Sequence, residues 1–132
     1  MLKKTISYTD FNEHERTEDF WFNLTEAELI EMEMSMNGGL SEMIQKIVRT
    51  QDTSEIIKIF KKLILASYGE KSMDGKRFIK SKELSDGFSQ TNAFSKLFME
   101  LATDDKAAAE FVDGIVPQRV AKNAQAKLNA AQ

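Results

Sequence analysis

The chain has 132 residues, 42% hydrophobic and 30% charged, with nine Phe and no Cys, the composition of a folded protein of one-domain size. Without Cys there are no disulfides, thiolate nucleophiles or Cys-bearing metal sites, and no apolar run approaches the roughly 18 residues needed to span a bilayer. The net charge of −3 is uneven: residues 1–116 hold 15 basic and 21 acidic residues, a balance of −6, whereas residues 117–132 hold Arg119, Lys122 and Lys127 and no acid. An acidic body argues against nucleic-acid binding, which needs clustered Lys and Arg, and three spaced cations do not reverse that.

Residues 1–6 carry charge without an apolar core behind it, so they do not read as a signal peptide, and a cytosolic protein is expected. Leu2, Ile6 and Tyr8 alternate with Thr5, Ser7 and Thr9, the period of a strand. A polar turn over residues 10–15 follows. In the next strand, residues 16–24, Phe20, Phe22 and Leu24 share one face while Thr17, Asp19, Trp21 and Asn23 share the other. A lone hairpin is marginal in water, so the Phe20/Phe22 face is expected to lie on helices.

From Thr25 the period becomes helical. Thr25 and Glu28 form a capping box opening a first helix to about residue 36, ended by Asn37-Gly38-Gly39. A second helix, residues 40–50, carries Leu40, Met43, Ile44, Ile47 and Val48 at helical spacing. Asp52 and Glu55 box a third, with Ile56, Ile57, Phe60, Leu63 and Ile64 over a wide apolar arc, the candidate central helix. Asp74-Gly75 signals a tight turn and a second short hairpin near residues 68–79. Ser81 caps a short helix with Leu84 and Phe88; Ala93, Phe94, Leu97, Phe98 and Leu101 stripe the next. Thr103 opens a last one through Ala107, Ala108, Phe111 and Val112, stopped near Gly114 and Pro117.

The expected fold is mainly α, an N-terminal β-hairpin packed on a small bundle of about five or six helices. Residues 1–116 form a single α-rich domain with the hairpin at 1–24. Residues 117–132, with only Val120 and Leu128 as large apolar residues, form a flexible or conditionally helical tail.

No group of residues assembles a catalytic, cofactor or metal site. His14, the one histidine, sits in a polar turn between Glu13 and Glu15 and reads as a surface residue. Asp74-Gly75 fails the register of a calcium loop, since a loop with Gly75 at position six would close on Ser81. Gly38-Gly39 follows a helix and lacks Lys-Ser/Thr, so it reads as a break rather than a phosphate cradle. An enzyme is not expected. Protein contact is: Met32 and Met36 share a stripe with Leu29, but Met34 with Ile30 lies on another side, because i and i+2 project about 200° apart. That side is a second buried face or an exposed contact. Trp21, opposite Phe20 and Phe22, is either covered by another element or open to a partner. Trp21, Ile30 and Met34 are therefore the candidate residues for protein binding and self-association.

The chain also resembles a family. The likeness resides in Tyr8-Thr9-Asp10-Phe11, Arg16-Thr17-Glu18-Asp19-Phe20, Phe22-Asn23-Leu24-Thr25, Glu31-Met32-Glu33-Met34-Ser35 and Asn37-Gly38-Gly39-Leu40. It continues in Glu42-Met43-Ile44-Gln45-Lys46-Ile47-Val48, Ser67-Tyr68-Gly69-Glu70-Lys71-Ser72 and Asp74-Gly75-Lys76-Arg77-Phe78-Ile79-Lys80-Ser81, and runs to about Pro117. These segments are similar to tail assembly chaperones of long-tailed, siphovirus-type bacteriophages and prophages of Gram-positive bacteria. They are packing and turn residues without a diagnostic site.

The resemblance implies a non-enzymatic assembly factor in the host cytoplasm that binds and solubilises the tape measure protein, helps recruit tail tube subunits and is absent from the mature virion. It also implies a longer frameshifted form and a homo-oligomer able to grow as an open spiral, with no nucleic acid, membrane or cofactor involved. The alternative from another class is a small acidic regulatory or inhibitory protein that binds one compact partner.

Overall fold

The computed structural model describes residues 1–35 and 53–117. The expected helix at 40–50, the Asn37-Gly38-Gly39 break, Met36, the Asp52 box and the tail from residue 118 lie outside them.

Strands β1 (Leu2–Thr9) and β2 (Glu15–Phe22) form the expected antiparallel hairpin, with Leu2 opposite Phe22 and Thr9 opposite Glu15. Asp10 organises its turn. The carboxylate accepts the N–H of Asn12 at 2.8 Å and of His14 at 3.0 Å, and pairs with Arg16 Nε at 2.5 Å. The Arg16 bond first, then the backbone donors, hold the Asp10 carboxyl down at about 2. Glu13 takes the left-handed turn position, φ 64°.

Helix α1 (Glu26–Ser35) opens with the predicted capping box: Glu28 N–H donates to Thr25 Oγ1 at 3.2 Å, and Thr25 N–H to Glu28 Oε1 at 2.9 Å. Helix α2 (Thr53–Ser67) buries Phe60, Leu63, Ile64 and Ser67, an i, i+3, i+4, i+7 stripe, and leaves Lys58, Lys61 and Lys62 in water. Ile57 is exposed, so the apolar arc is narrower than its composition suggested. The buried Ser67 hydroxyl is satisfied locally, donating to Leu63 O at 2.7 Å.

The chain then passes straight into β3 (Tyr68–Lys71), turns through Gly75 at φ +74°, and returns as β4 (Phe78–Ile79). Gly75 has the left-handed geometry that glycine adopts freely, and Asp74 Oδ1 accepts Ser72 Oγ–H and Lys76 N–H within the turn. The expected second hairpin is present. It does not stand apart, however, because Trp21 pairs with Gly69 and Phe22 with Tyr68. The result is one four-stranded antiparallel sheet in the order β1-β2-β3-β4.

Helices α3 (Lys82–Ser89), α4 (Asn92–Thr103) and α5 (Asp105–Ile115) follow, giving five helices among the described residues. The architecture is thus a mixture of α and β rather than mainly α. Residue patterning shows that a segment is extended but not which distant strand it pairs with, and the two-residue ladder that joins the hairpins carries no signal in sequence. Ser81 caps α3 as predicted, and Thr91 caps α4. The last helix is capped by Asp104, not Thr103: the Asp104 carboxylate accepts from Lys106 N at 3.0 Å and Ala107 N at 3.1 Å. Thr103 ends α4 and turns its hydroxyl back to Met99 O at 2.7 Å. The helix ends at Ile115, between Gly114 and Pro117 as expected, and a Cβ on Gly114 in its last turn would come within 2.9 Å of Leu2 Cδ1.

Even-numbered hairpin residues face the helices. Ile6, Phe22 and Leu24 are buried with Phe60, Leu63, Phe88, Leu97, Phe111 and Ile115 in one core. Phe22 is its joint, with ring centroids 5.3 Å from Phe111 and 5.8 Å from both Phe88 and Tyr68. Tyr68 stacks on Phe88 at 4.2 Å. The opposite face of the sheet carries exposed Lys3, Thr5, Ser7, Thr17 and Asp19 around half-buried Trp21.

Candidate protein-binding surfaces

Alternation places Trp21 on the outer sheet face. Among the described residues two cations lie over its ring: Lys71 Nζ is 3.8 Å from the ring centroid and Lys3 Nζ 5.8 Å. Neither lysine was singled out by the sequence. Lys3 sits directly across from Trp21 in the hairpin register and could have been found from it, whereas Lys71 depends on the pairing of β2 with β3.

The two α1 candidates are exposed. Ile30 retains 59% of its surface and Met34 84%, one helical turn apart on the same side of α1. The buried side of the helix is Leu29, with Met32 packed against the core. A second anchor holds α1 in place. Lys80 Nζ donates to Glu28 Oε2 and to Asn23 O, both at 2.6 Å, tying the helix start to the segment after β4. Burial pushes the Glu28 carboxyl up, but the Lys80 ammonium and the Thr25 N–H outweigh it and hold the group below its ordinary value. The apolar pair is thus displayed on a helix whose other side is fixed. The structure places Trp21 and the Ile30/Met34 pair on two separate elements, β2 and α1.

Two further apolar side chains stand in water at turn tips, Phe11 in the first hairpin and Met73 in the second. Both fall in segments whose sequence signals a turn, and an apolar residue among polar turn neighbours is the signal that marks them. Among the described residues no group of three or more His, Asp or Glu is placed to hold a metal ion, and no helix is long and apolar enough to cross a membrane.

Comparison with known proteins bears on the chain as a whole. The phage tail assembly chaperone family matches this chain over residues 1–132. The chain belongs to that family. A chaperone of phage tail assembly works on protein partners, which suits a molecule offering apolar side chains on a well-anchored helix. No curated protein and no solved structure matches the chain.

Proposed function

We propose that this member of the family binds and solubilises the tape measure protein, a long helical polypeptide, and helps recruit tail tube subunits to it in the host cytoplasm. The observation that carries the proposal is the display of Ile30 and Met34 on the free side of α1 in a chain of this family. A flexible thioether beside a branched aliphatic residue suits many similar but non-identical apolar turns on one long helix. Weak contacts repeated along the filament cover it by multivalency, without tight binding by any single copy. Copies lining up head-to-tail form an open spiral, and Trp21 with the Ile30/Met34 side supplies the contact. The role is non-enzymatic, the setting a long-tailed phage or prophage of a Gram-positive host, and the protein leaves before the virion is complete. A longer frameshifted form sharing this body would bind the same filament.

The test is co-expression with a tape measure fragment. The fragment is expected to move from the pellet to the soluble fraction with several copies of this protein bound, and the complex to survive moderate salt because the contact is apolar. Met34→Glu should return the fragment to the pellet without changing far-UV dichroism, and Trp21→Ala should weaken self-association in analytical ultracentrifugation. A fragment that stays insoluble, or a salt-sensitive one-to-one complex with a different compact protein, would instead favour the small acidic regulatory or inhibitory protein.

A further inference from the structure

The backbone groups of β2 alternate in direction, and the ends of the strand fix the phase. Asp10 N–H bonds His14 O, so even-numbered hairpin residues exchange hydrogen bonds with one another and odd-numbered residues of β2 direct theirs to the other side. On that other side Asn23 N–H meets Ser67 O and Trp21 pairs with Gly69. There the ladder ends. β3 turns away to β4, pairing Glu70 with Ile79 and Lys71 with Phe78. Residues 15–19 of β2, all exposed, therefore have no strand beside them on this side among the described residues, and the backbones of Thr17 and Asp19 point into the opening.

The opening is a groove of about 400 Å³ lined by Asp19, Trp21, Gly69, Glu70 and Lys71 among others. The opposite margin of the sheet is treated differently. On β1 the Thr9 carbonyl accepts from Asn92 Nδ2 at 2.9 Å and the Ser7 carbonyl from Lys96 Nζ, so side chains of α4 cover that edge.

A bare strand edge at a fork is complementary to another strand. The surrounding charges say of what kind. Glu18, Asp19 and Glu70 line the groove and Glu15 lies further along β2. Against them stand three cations, Arg16, Lys71 and Lys3, the last 5.8 Å from the Trp21 ring, and all three are engaged. Arg16 pairs with Asp10 at 2.5 Å and lies 3.7 Å from Glu18, while Lys71 lies on the Trp21 ring at 3.8 Å. Glu15 and Glu70 have no ion-pair partner among the described residues.

We propose that the fork between β2 and β3 is a docking site for an extended, cationic segment of a partner protein. The segment adds as a strand antiparallel to β2, in the line that β3 leaves. It exchanges backbone hydrogen bonds with Thr17 and Asp19 and sets Lys or Arg side chains on both faces, against Glu15 and Asp19 on the Trp21 side and against Glu18 and Glu70 on the helix side. Trp21 forms the wall at its end. This surface takes an extended partner and does not depend on α1, which takes a helix.

The probe is a short acetylated peptide of paired lysines alternating with paired valines, which presents cations on both faces of a strand, with a glutamate-for-lysine peptide as control. Trp21 is the chain's single tryptophan, so its emission reports the site directly. The lysine peptide is expected to shift it saturably, more weakly as salt rises, and to slow amide exchange at Thr17 and Asp19. Arg16 and Glu18, already bonded across to β1, should not change. Thr17→Pro removes an outward N–H without touching a backbone bond to β1, though it also loses the 2.9 Å hydroxyl contact with Ser7, which Thr17→Val loses alone as the control. The proline should weaken binding about tenfold, the scale of one backbone hydrogen bond. Glu15→Lys with Glu70→Lys should do so through charge alone, and decides the matter if the proline variant fails to fold. No saturable shift, equal binding of the glutamate peptide, or new protection on α1 instead of Thr17 and Asp19 would overturn the proposal. Protection of Thr17 and Asp19 that grows with protein concentration alone would overturn it in favour of a second copy of this chain.

Discussion

Phe22→Ala removes a side chain that touches the sheet and two helices at once. The ring is fully buried and meets Phe111 at 5.3 Å and Phe88 and Tyr68 at 5.8 Å, so three elements lose a partner together. Core Phe-to-Ala changes cost about 3–5 kcal/mol, combining lost transfer energy with the cavity left behind. Ring pairs add about 0.5–1.5 kcal/mol each beyond burial, and with three of them this site belongs at the upper end of that range, about 4–5 kcal/mol. Total stability for a domain of this size is about 5–15 kcal/mol, so the variant could lie near its unfolding midpoint without denaturant. Phe22→Leu keeps most of the volume, loses only the ring geometry and should cost about 1–2 kcal/mol. Urea unfolding would be followed by Trp21 emission and by far-UV dichroism. The two probes must give one transition for the comparison to count, because Trp21 is adjacent to the mutated site. A loss below about 1 kcal/mol for Phe22→Ala would refute the placement of Phe22 as the joint of the core. If Phe22→Leu cost as much as Phe22→Ala, shape rather than ring contact would be the operative term.

Phe60→Ala on α2 should cost about 3–5 kcal/mol in the same assay; a loss below 1 kcal/mol would place that ring at the surface. Gly69→Ala should cost about 1–3 kcal/mol through overpacking, because the new Cβ falls 2.7 Å from the Ile79 carbonyl oxygen and 2.8 Å from a Phe78 ring carbon. Unchanged stability there would mean that β3 and β4 separate easily. The Glu28 carboxyl lies below its ordinary 4.5 in the fold, so the stabilisation it brings is present above that value and is lost as pH falls through the folded one. Protection of the α1 amides, taken relative to their intrinsic exchange rate at each pH, should therefore fall in acid in the wild type, while Glu28→Gln, already lacking the charge, should show a flatter response. Glu13→Gly should raise stability modestly, by about 1 kcal/mol or less, seen as a higher urea midpoint, since glycine relieves the left-handed φ of 64°. A lowered midpoint would show that chain flexibility outweighs the strain.

Local signals in this chain were legible because they act over a few residues. The Thr25/Glu28 box, the Ser81 cap, the Gly75 turn and the face shared by Phe20, Phe22 and Leu24 each rest on fixed spacings, and all appear where the spacings put them. The assignment of Thr103 as a cap failed by one residue. Asp104 beside it is an equally good cap by type, and only the path of the chain between α4 and α5 decides between them. What the sequence could not supply was pairing at a distance. The ladder from β2 to β3 joins residues almost fifty positions apart through two residue pairs, one of them a glycine, and no periodicity marks it. The mixed architecture, the position of Lys71 over Trp21 and the fork itself all follow from that ladder. The Lys80 tie to Asn23 and Glu28 was hidden for the same reason, since a lysine says nothing in sequence about which carboxylate it will reach.

The two surfaces differ in what holds them, and the difference bears on how each could be used. The Ile30/Met34 side belongs to a helix fixed by Leu29, by Met32 and by a Lys80 ammonium shared between Glu28 and a backbone carbonyl. Its own side chains are unconstrained, so it suits contact with apolar helical surface that varies from turn to turn. The fork is the reverse: its binding groups are main-chain donors and acceptors held by a strand already paired on its far side, so they require an extended backbone but tolerate many sequences. A helical partner satisfies its own backbone and gains nothing from such an edge, while an extended segment brings no contiguous apolar stripe to α1. Competition between a helical and an extended ligand should therefore be absent, and a single copy should hold both at once. Mutual displacement of a tape measure fragment and the lysine peptide in a three-component titration would show that the surfaces are not independent.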